Sequence, residues 1–139
     1  MKLKWLDRSL LLTPYYTLCT SEKILQTELK RMKVSDKAIG LNNGSGATTS
    51  FLFNNRDDRV AIVCLYDHSL DKEQIYSLLA HEAVHIFQEV LSIMNEDKPS
   101  CEFQAWGIQK ISQELFYEYE RQTKKKRKHR QIIKPTTKR

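Results

Sequence analysis

Apolar and polar positions in this chain follow a short, strand-like period in some segments and a helical period in others. Residues 14–18 (PYYTL) form a short aromatic and β-branched run, which is typical of a strand. Residues 47–53 (ATTSFLF) and 59–66 (RVAIVCLY) are two further strand-like runs, and the polar turn NNRDD separates them. This pattern predicts an antiparallel hairpin, and the continuously apolar second run predicts a central strand.

Three other segments have apolar residues at helical spacing. The first covers residues 21–34; it begins with a serine that can cap a helix and ends among Lys and Arg residues, which suit a helix C-terminus. The second starts near Ser69 or Asp71 and ends near the sequence NEDKP, and the third opens at Pro99 and extends to about Tyr119. The predicted order is β-α-β-β-α-α, an α+β fold with a small antiparallel or mixed sheet packed on helices.

Positive charge is concentrated at the C-terminus of the chain. The 139 residues include 23 Lys and Arg and 17 Asp and Glu, and nine of the basic residues follow Thr123, where no acid occurs. Residues 1–122 therefore carry 14 basic and 17 acidic side chains. We predict one domain at 1–122 and a basic tail at 123–139, which we expect to be disordered in isolation and able to bind nucleic acid or an acidic partner.

The spacing of the cysteines and the shortness of the apolar runs indicate where in the cell the protein resides. Cys19, Cys64 and Cys101 are odd in number, widely spaced and without a CxxC pair, which favours a reducing environment. No apolar run approaches the roughly 18 to 20 residues of a membrane span, and no signal-peptide pattern is visible at the start. We therefore expect a soluble, cytoplasmic protein with no membrane partner; its oligomeric state is not indicated.

The second predicted helix contains the candidate metal ligands and the candidate catalytic base. In residues 78–88 (LLAHEAVHIFQ), His81 and His85 are four apart and project from one helix face, so that their imidazoles can share one metal ion. Glu82 lies on the adjoining edge, where its carboxylate can act as a base on a water without binding the metal. This HExxH spacing is typical of zinc hydrolases. We predict a Zn²⁺ site with His81 and His85 as ligands and Glu82 as the catalytic base, facing a cleft against the third helix.

A catalytic zinc ion needs a third protein ligand. Glu102 is the best candidate, because it lies in the first turn of the third helix, where the helix N-terminus helps keep a carboxylate ionised. A straight antiparallel pair of helices would instead place Glu114 opposite His81, so Glu102 requires a steep crossing or a second helix that ends early, near Leu91. Glu114 therefore stays open as an alternative. The further alternatives are Asp67, His68, Glu118 or a missing ligand.

Residues 78–115 (LLAHEAVHIFQEVLSIMNEDKPSCEFQAWGIQKISQEL) resemble a family of small phage and prophage proteins. Those proteins have an HEAxHxxQ helix followed by PSxExxAYxIQ and are regarded as zincin-like metallopeptidases. The likeness extends upstream and covers roughly residues 14–120, leaving out the basic tail.

The resemblance implies a minimal zincin-like domain located in the cytoplasm of a host cell. In such a domain His81, His85 and Glu102 would bind zinc and Glu82 would be the catalytic base, an arrangement of the glutamate-zincin type. Trp106 stands where the family has Tyr, so this chain lacks a hydroxyl group there.

Two functions of different classes agree with these features. The first is a zinc-dependent hydrolase, a peptidase acting on a peptide or protein, whose edge strand at 47–53 holds the substrate by main-chain hydrogen bonds. Tyr66, His68 and Tyr117 are available to stabilise its oxyanion. The alternative is a non-catalytic binding protein in which zinc fastens the second and third helices and the basic tail contacts nucleic acid or an acidic partner. Glu82 favours the enzyme, because a structural zinc site needs no carboxylate beside an open position.

Overall fold

The computed structural model describes residues 1–6, 14–34, 39–40 and 44–132, with side chains as far as Lys124. The described residues form three strands and three helices in the order β-α-β-β-α-α, so the predicted α+β fold is confirmed. The strands are β1 (Tyr15–Cys19), β2 (Thr48–Phe53) and β3 (Arg59–Cys64), and the helices are α1 (Glu22–Arg31), α2 (Lys72–Met94) and α3 (Cys101–Ile132).

The three strands form one mixed sheet in the order β1-β3-β2. β2 and β3 are antiparallel, as the hairpin pattern predicted, and β1 pairs with β3 in parallel. The continuously apolar β3 is the central strand, also as predicted. In the described part of the chain β2 is therefore an edge strand, with β3 as its one neighbour.

The helices lie on both faces of the sheet. Alternate residues of β3 point to opposite faces, because side chains alternate along a strand. Val60 and Ile62 pack with apolar residues of α1, while Ala61 and Val63 pack with those of α2 and α3. On the second face α2 contacts β2 and α3 contacts β1. This arrangement places the HExxH helix beneath the edge strand.

The ends of α2 follow from its sequence. The Gln74 side chain accepts a hydrogen bond from the Asp71 backbone N–H at 3.1 Å, which caps the first turn. The last turn closes at Asn95, whose left-handed backbone (φ 53°) suits asparagine, and its N–H donates to Leu91 and Ser92. Because α2 runs on to Met94, it does not end early near Leu91.

Aromatic side chains connect α2 to α3. The rings of Tyr76 and Phe116 stack with centroids 4.5 Å apart, and those of Phe87 and Phe103 lie 5.6 Å apart. Gly107 allows the close approach, since a Cβ atom there would lie 2.3 Å from the Phe87 ring. Tyr76 and Phe87 therefore mark the side of α2 that faces α3.

α3 is longer than the apolar pattern predicted. It continues beyond Tyr119 to Ile132, so the segment expected to be disordered is helical for its first ten residues, 123–132. Two ion pairs, Arg121 with Glu118 and Lys124 with Glu120, stabilise the helix around Tyr119. The residues that follow are rich in Lys, Arg and Gln, which are good helix formers. Residues 133–139 lie outside the described residues. No helix in the described part of the chain has the length and apolar character needed to cross a bilayer.

Candidate metal centre

The two motif histidines meet on the exposed side of α2. Their Nε2 atoms are 3.0 Å apart and their ring centroids 4.8 Å apart. Two nitrogens bound to one tetrahedral zinc ion at about 2.05 Å would be separated by about 3.3 Å. His81 and His85 therefore fit a shared zinc ion with an adjustment of a few tenths of an ångström.

Gln88 orients one of these rings. Its Oε1 atom lies 3.2 Å from His85 Nδ1, and because an amide oxygen can only accept, the proton of His85 is assigned to Nδ1. The lone pair of Nε2 then faces His81, as a metal ligand requires. Sequence reasoning missed this role of Gln88, although its spacing of three residues from His85 would have indicated it.

The Glu82 carboxylate is buried beside the histidines. Its residue is 5% exposed, and its Oε2 atom accepts a hydrogen bond from Thr49 Oγ1 at 2.5 Å. Among the residues that the structure describes, no Lys or Arg pairs with Glu82. Thr49 was not foreseen from the sequence. Alternation along β2 puts it on the same side as Phe51, but only the packing of α2 makes this the side that faces Glu82.

An open cleft of about 660 Å³ leads to this carboxylate. One wall is the loop of residues 45–47, which leads into β2, and the other is the first half of α2 down to His81 and Glu82. The loop touches the helix at Gly46, where a Cβ atom would lie 2.9 Å from Leu78 Cδ1. A molecule in the cleft would thus lie against the loop that leads into β2 and would reach His81 and Glu82.

The histidines lie on the side of α2 away from α3, and not in a cleft against the third helix as expected. At about 100° per residue, His81 and His85 are roughly 120 to 180° around the helix from Tyr76 and Phe87, which contact α3. Both histidines are exposed. The reason is that the apolar residues of α2 turn to the sheet and to α3, which leaves the polar side beneath the edge strand.

Glu102 does not join the histidines in this structure. It lies in the first turn of α3 with an exposed side chain, and no group of three His, Cys, Asp or Glu residues gathers anywhere in the described ranges. α2 does not end early, and its histidines face away from α3, so neither helix brings Glu102 to them. The role of Glu102 as a ligand stays a prediction.

The alternative ligands have other partners. Glu114 accepts hydrogen bonds from Lys110 Nζ at 2.8 Å and from the Tyr16 hydroxyl of β1. Asp67 accepts from Ser69, and Glu118 accepts from Arg121 and Gln122. These contacts place Glu114 and Glu118 on the sheet side of α3, away from the histidine pair.

None of the three residues considered for an oxyanion site lines this cleft. Tyr66 packs with the α1 side of the sheet, and burial raises the pKa of its hydroxyl well above the usual value. His68 Nε2 lies 2.9 Å from the Thr20 carbonyl oxygen, and its Nδ1 lies 3.5 Å from the Tyr119 hydroxyl of α3. Tyr117 is an exposed residue of α3 whose hydroxyl accepts from Gln113.

Comparison of the chain with protein-family models, with curated proteins and with solved structures finds no match in any of the three. The resemblance to the phage zincin-like family therefore stays a prediction, as do the zinc ion and the role of each site residue.

Proposed function

We propose that this chain is a zinc-dependent hydrolase that cleaves peptide bonds, with His81 and His85 as metal ligands and Glu82 as the general base. One observation carries the proposal: the two Nε2 atoms converge at 3.0 Å beside a carboxylate that is 5% exposed. A zinc ion at this position would supply Lewis acidity to a water molecule and to a peptide carbonyl group.

Glu82 has the surroundings that a general base needs. Thr49 holds its Oε2 atom, and Oε1 has no hydrogen-bond partner among the described residues, so it can accept a proton from the attacking water. The same carboxyl group can then return the proton to the leaving amine. Burial keeps competing water away from the carboxylate, which strengthens its interaction with the reacting groups.

The edge strand supports a peptide as the substrate. β2 has β3 on one side and pairs with no strand on its other side in the described part of the chain, and the loop of residues 45–47, which leads into β2, lines the cleft that reaches Glu82. An extended peptide can add to such an edge through main-chain hydrogen bonds. Its scissile carbonyl group would then lie above the polar side of α2.

A zinc ion that fastens α2 to α3 has less support. Such an ion needs donors from both helices, whereas the paired histidines belong to α2 and face away from α3. The same separation applies to Glu102, which is also on α3, so Glu102 stays the candidate for the third position on the resemblance alone, and its contribution can be measured directly.

Metal analysis combined with site variants tests the proposal. We expect the purified chain to bind zinc, His81→Ala to lose it, and Glu82→Gln to keep it while hydrolysis of a peptide library falls at least about 10³-fold. Glu102→Gln should lower zinc affinity and Glu114→Gln should not. The control is Glu22→Gln, an exposed carboxylate on α1.

A wild-type chain that binds no zinc would overturn the proposal as a whole. Hydrolysis at the wild-type rate in Glu82→Gln would overturn the role of Glu82 as base. Equal zinc affinity in Glu102→Gln and the wild type would remove Glu102 from the ligand set.

A further inference from the structure

The side of α2 that carries Glu82 and His85 continues along the helix in both directions as a single stripe. Leu78, Glu82, His85 and Glu89 are spaced by four, three and four residues, so they lie on one side of the helix. Ile93 continues the stripe one turn further along. β2 runs beside it in the same direction, because Thr49 contacts Glu82 and Phe53 lines a pocket together with Glu89 and Ile93.

The far end of this stripe is an exposed apolar surface bordered by acids. Phe53 is 58% exposed and Ile93 is 40% exposed, and together they line a second pocket of about 560 Å³. Asp57 and Asp58, from the turn between β2 and β3, line the same pocket. We call Phe53, Ile93, Asp57 and Asp58 the distal surface.

The two pockets along this stripe have a net charge opposite to that of the chain. The charged residues lining the two pockets are five carboxylates and one guanidinium group, Arg59, whereas the whole chain has a net charge of +6. Arg59 already forms an ion pair with Glu89 at 2.6 Å. A segment that spans both pockets should therefore be positively charged and should carry an apolar side chain for the distal surface.

The length of β2 gives the spacing between that side chain and the reacting bond. Phe53 lies four positions after Thr49, which contacts Glu82, and this corresponds to about 13 Å along an extended chain. An added strand covers this distance with about four residues. Antiparallel strand pairs outnumber parallel ones, so we place the peptide antiparallel to β2. Its chain then runs from Phe53 towards Thr49, and the distal surface would hold a residue on the N-terminal side of the scissile bond.

We propose that the substrate is a basic, extended polypeptide segment with an apolar residue, about four positions N-terminal to the scissile bond, that packs on Phe53 and Ile93. This inference rests on the proposed function, because it assigns the substrate class of the same site. Asp57 and Asp58 select the positive charge, and Phe53 and Ile93 select the apolar side chain.

Matched peptides and variants test this assignment. Quenched fluorescent peptides carry either Leu or Ser at the fourth position before a common cleavage sequence, with flanking residues that are either Lys or Glu. We expect the zinc-loaded full chain to cleave the Leu and Lys peptide at least tenfold faster, in kcat/KM, than either partner, with the charge preference falling as salt rises.

Variants of the distal surface should change preference rather than chemistry. The double variant Asp57→Asn and Asp58→Asn should reduce the preference for Lys over Glu at least threefold, and Phe53→Ala should reduce the preference for Leu over Ser while Phe53→Leu retains it. Glu22→Gln, on the other face of the sheet, is the charge control and should leave both preferences unchanged.

A binding measurement separates this inference from the proposed function. The same peptides, labelled for fluorescence anisotropy, are titrated against Glu82→Gln, in which chemistry is removed. Cleavage without charge preference, or a Leu preference that Phe53→Ala leaves intact, overturns the distal surface but leaves the hydrolase proposal standing. Binding that depends on Asp57, Asp58 and Phe53, but with no cleavage by the wild type, supports the surface and overturns the hydrolase. An apolar preference on the C-terminal side overturns the antiparallel placement.

Discussion

Glu82 on α2 and Glu118 on α3 are both buried, at 5% and 3% exposure, but they have different surroundings. Glu118 accepts hydrogen bonds from Arg121 at 2.8 Å and from Gln122 at 2.8 Å, so its charge is compensated within α3. Glu82 has the Thr49 hydroxyl and, among the described residues, no cation. A buried carboxylate without a counterion costs free energy, and a nearby metal ion would compensate that cost.

A third buried carboxylate, Glu28, is compensated in the same way as Glu118. Glu28 on α1 accepts hydrogen bonds from Arg31 Nε at 2.9 Å and from Trp5 Nε1 at 3.0 Å. Burial alone would raise the pKa of Glu28, but these hydrogen bonds and the Arg31 charge outweigh it and lower the pKa below its usual value. Among the described residues, the buried carboxylates Glu28 and Glu118 each have a neighbouring cation, whereas Glu82, the proposed general base, has none.

The largest expected difference between the two regions is in stability. Glu118→Gln removes charge-assisted hydrogen bonds and should lower the free energy of unfolding by about 2 kcal/mol. Glu82→Gln, measured in metal-free protein, should change it by less than about 0.5 kcal/mol or raise it, since a charge that lacks a counterion becomes neutral. Urea unfolding followed by circular dichroism gives both values. Equal losses in the two variants would mean that Glu82 is a structural carboxylate too.

Thr49 tests how far the hydrogen bond to Glu82 matters for activity. Thr49→Val leaves Oε2 without its donor and should lower kcat/KM about tenfold, the equivalent of about 1.4 kcal/mol. Zinc content should not change. Thr49→Ser keeps the hydroxyl and should restore most of the activity, and an equally inactive Ser variant would show that the Thr49 methyl group, not its hydroxyl, is what the site needs.

The smallest expected effect is the loss, at low pH, of the stability that Glu28 contributes. Because the pKa of Glu28 is lowered in the folded chain, its contribution to stability is complete above the usual glutamate pKa of about 4.3 and is lost as pH falls through the lowered value. Glu28→Gln should therefore be less stable than the wild type at pH 7, with the gap closing in acid. Thermal unfolding across pH 3 to 7 at constant ionic strength measures this gap, and a constant difference would contradict the assignment.

Features within one element could be predicted from the sequence. His81 and His85 come together because four residues make about one helical turn, and no other part of the fold has to be known. The α+β order and the β2–β3 hairpin follow in the same way from local periodicity and from a polar turn.

Features that join distant segments could not be predicted. Thr49 and Glu82 are 33 residues apart, and their contact depends on which face of β2 meets α2. The end of α3 was missed for a related reason, because the helix continues past the end of its apolar stripe, through residues 118–124, where ion pairs join one turn to the next.

The sequence by itself determined the spacing of His81, Glu82 and His85, because helical periodicity converts position into direction. Only the tertiary structure decided which parts of the fold these side chains face. The packing of Tyr76 and Phe87 on α3 turns the histidines outward to the exposed side of α2, and it leaves Glu102 apart from them. The physical reason is that a helix buries its apolar side first, and the polar side faces whatever the remaining packing leaves open.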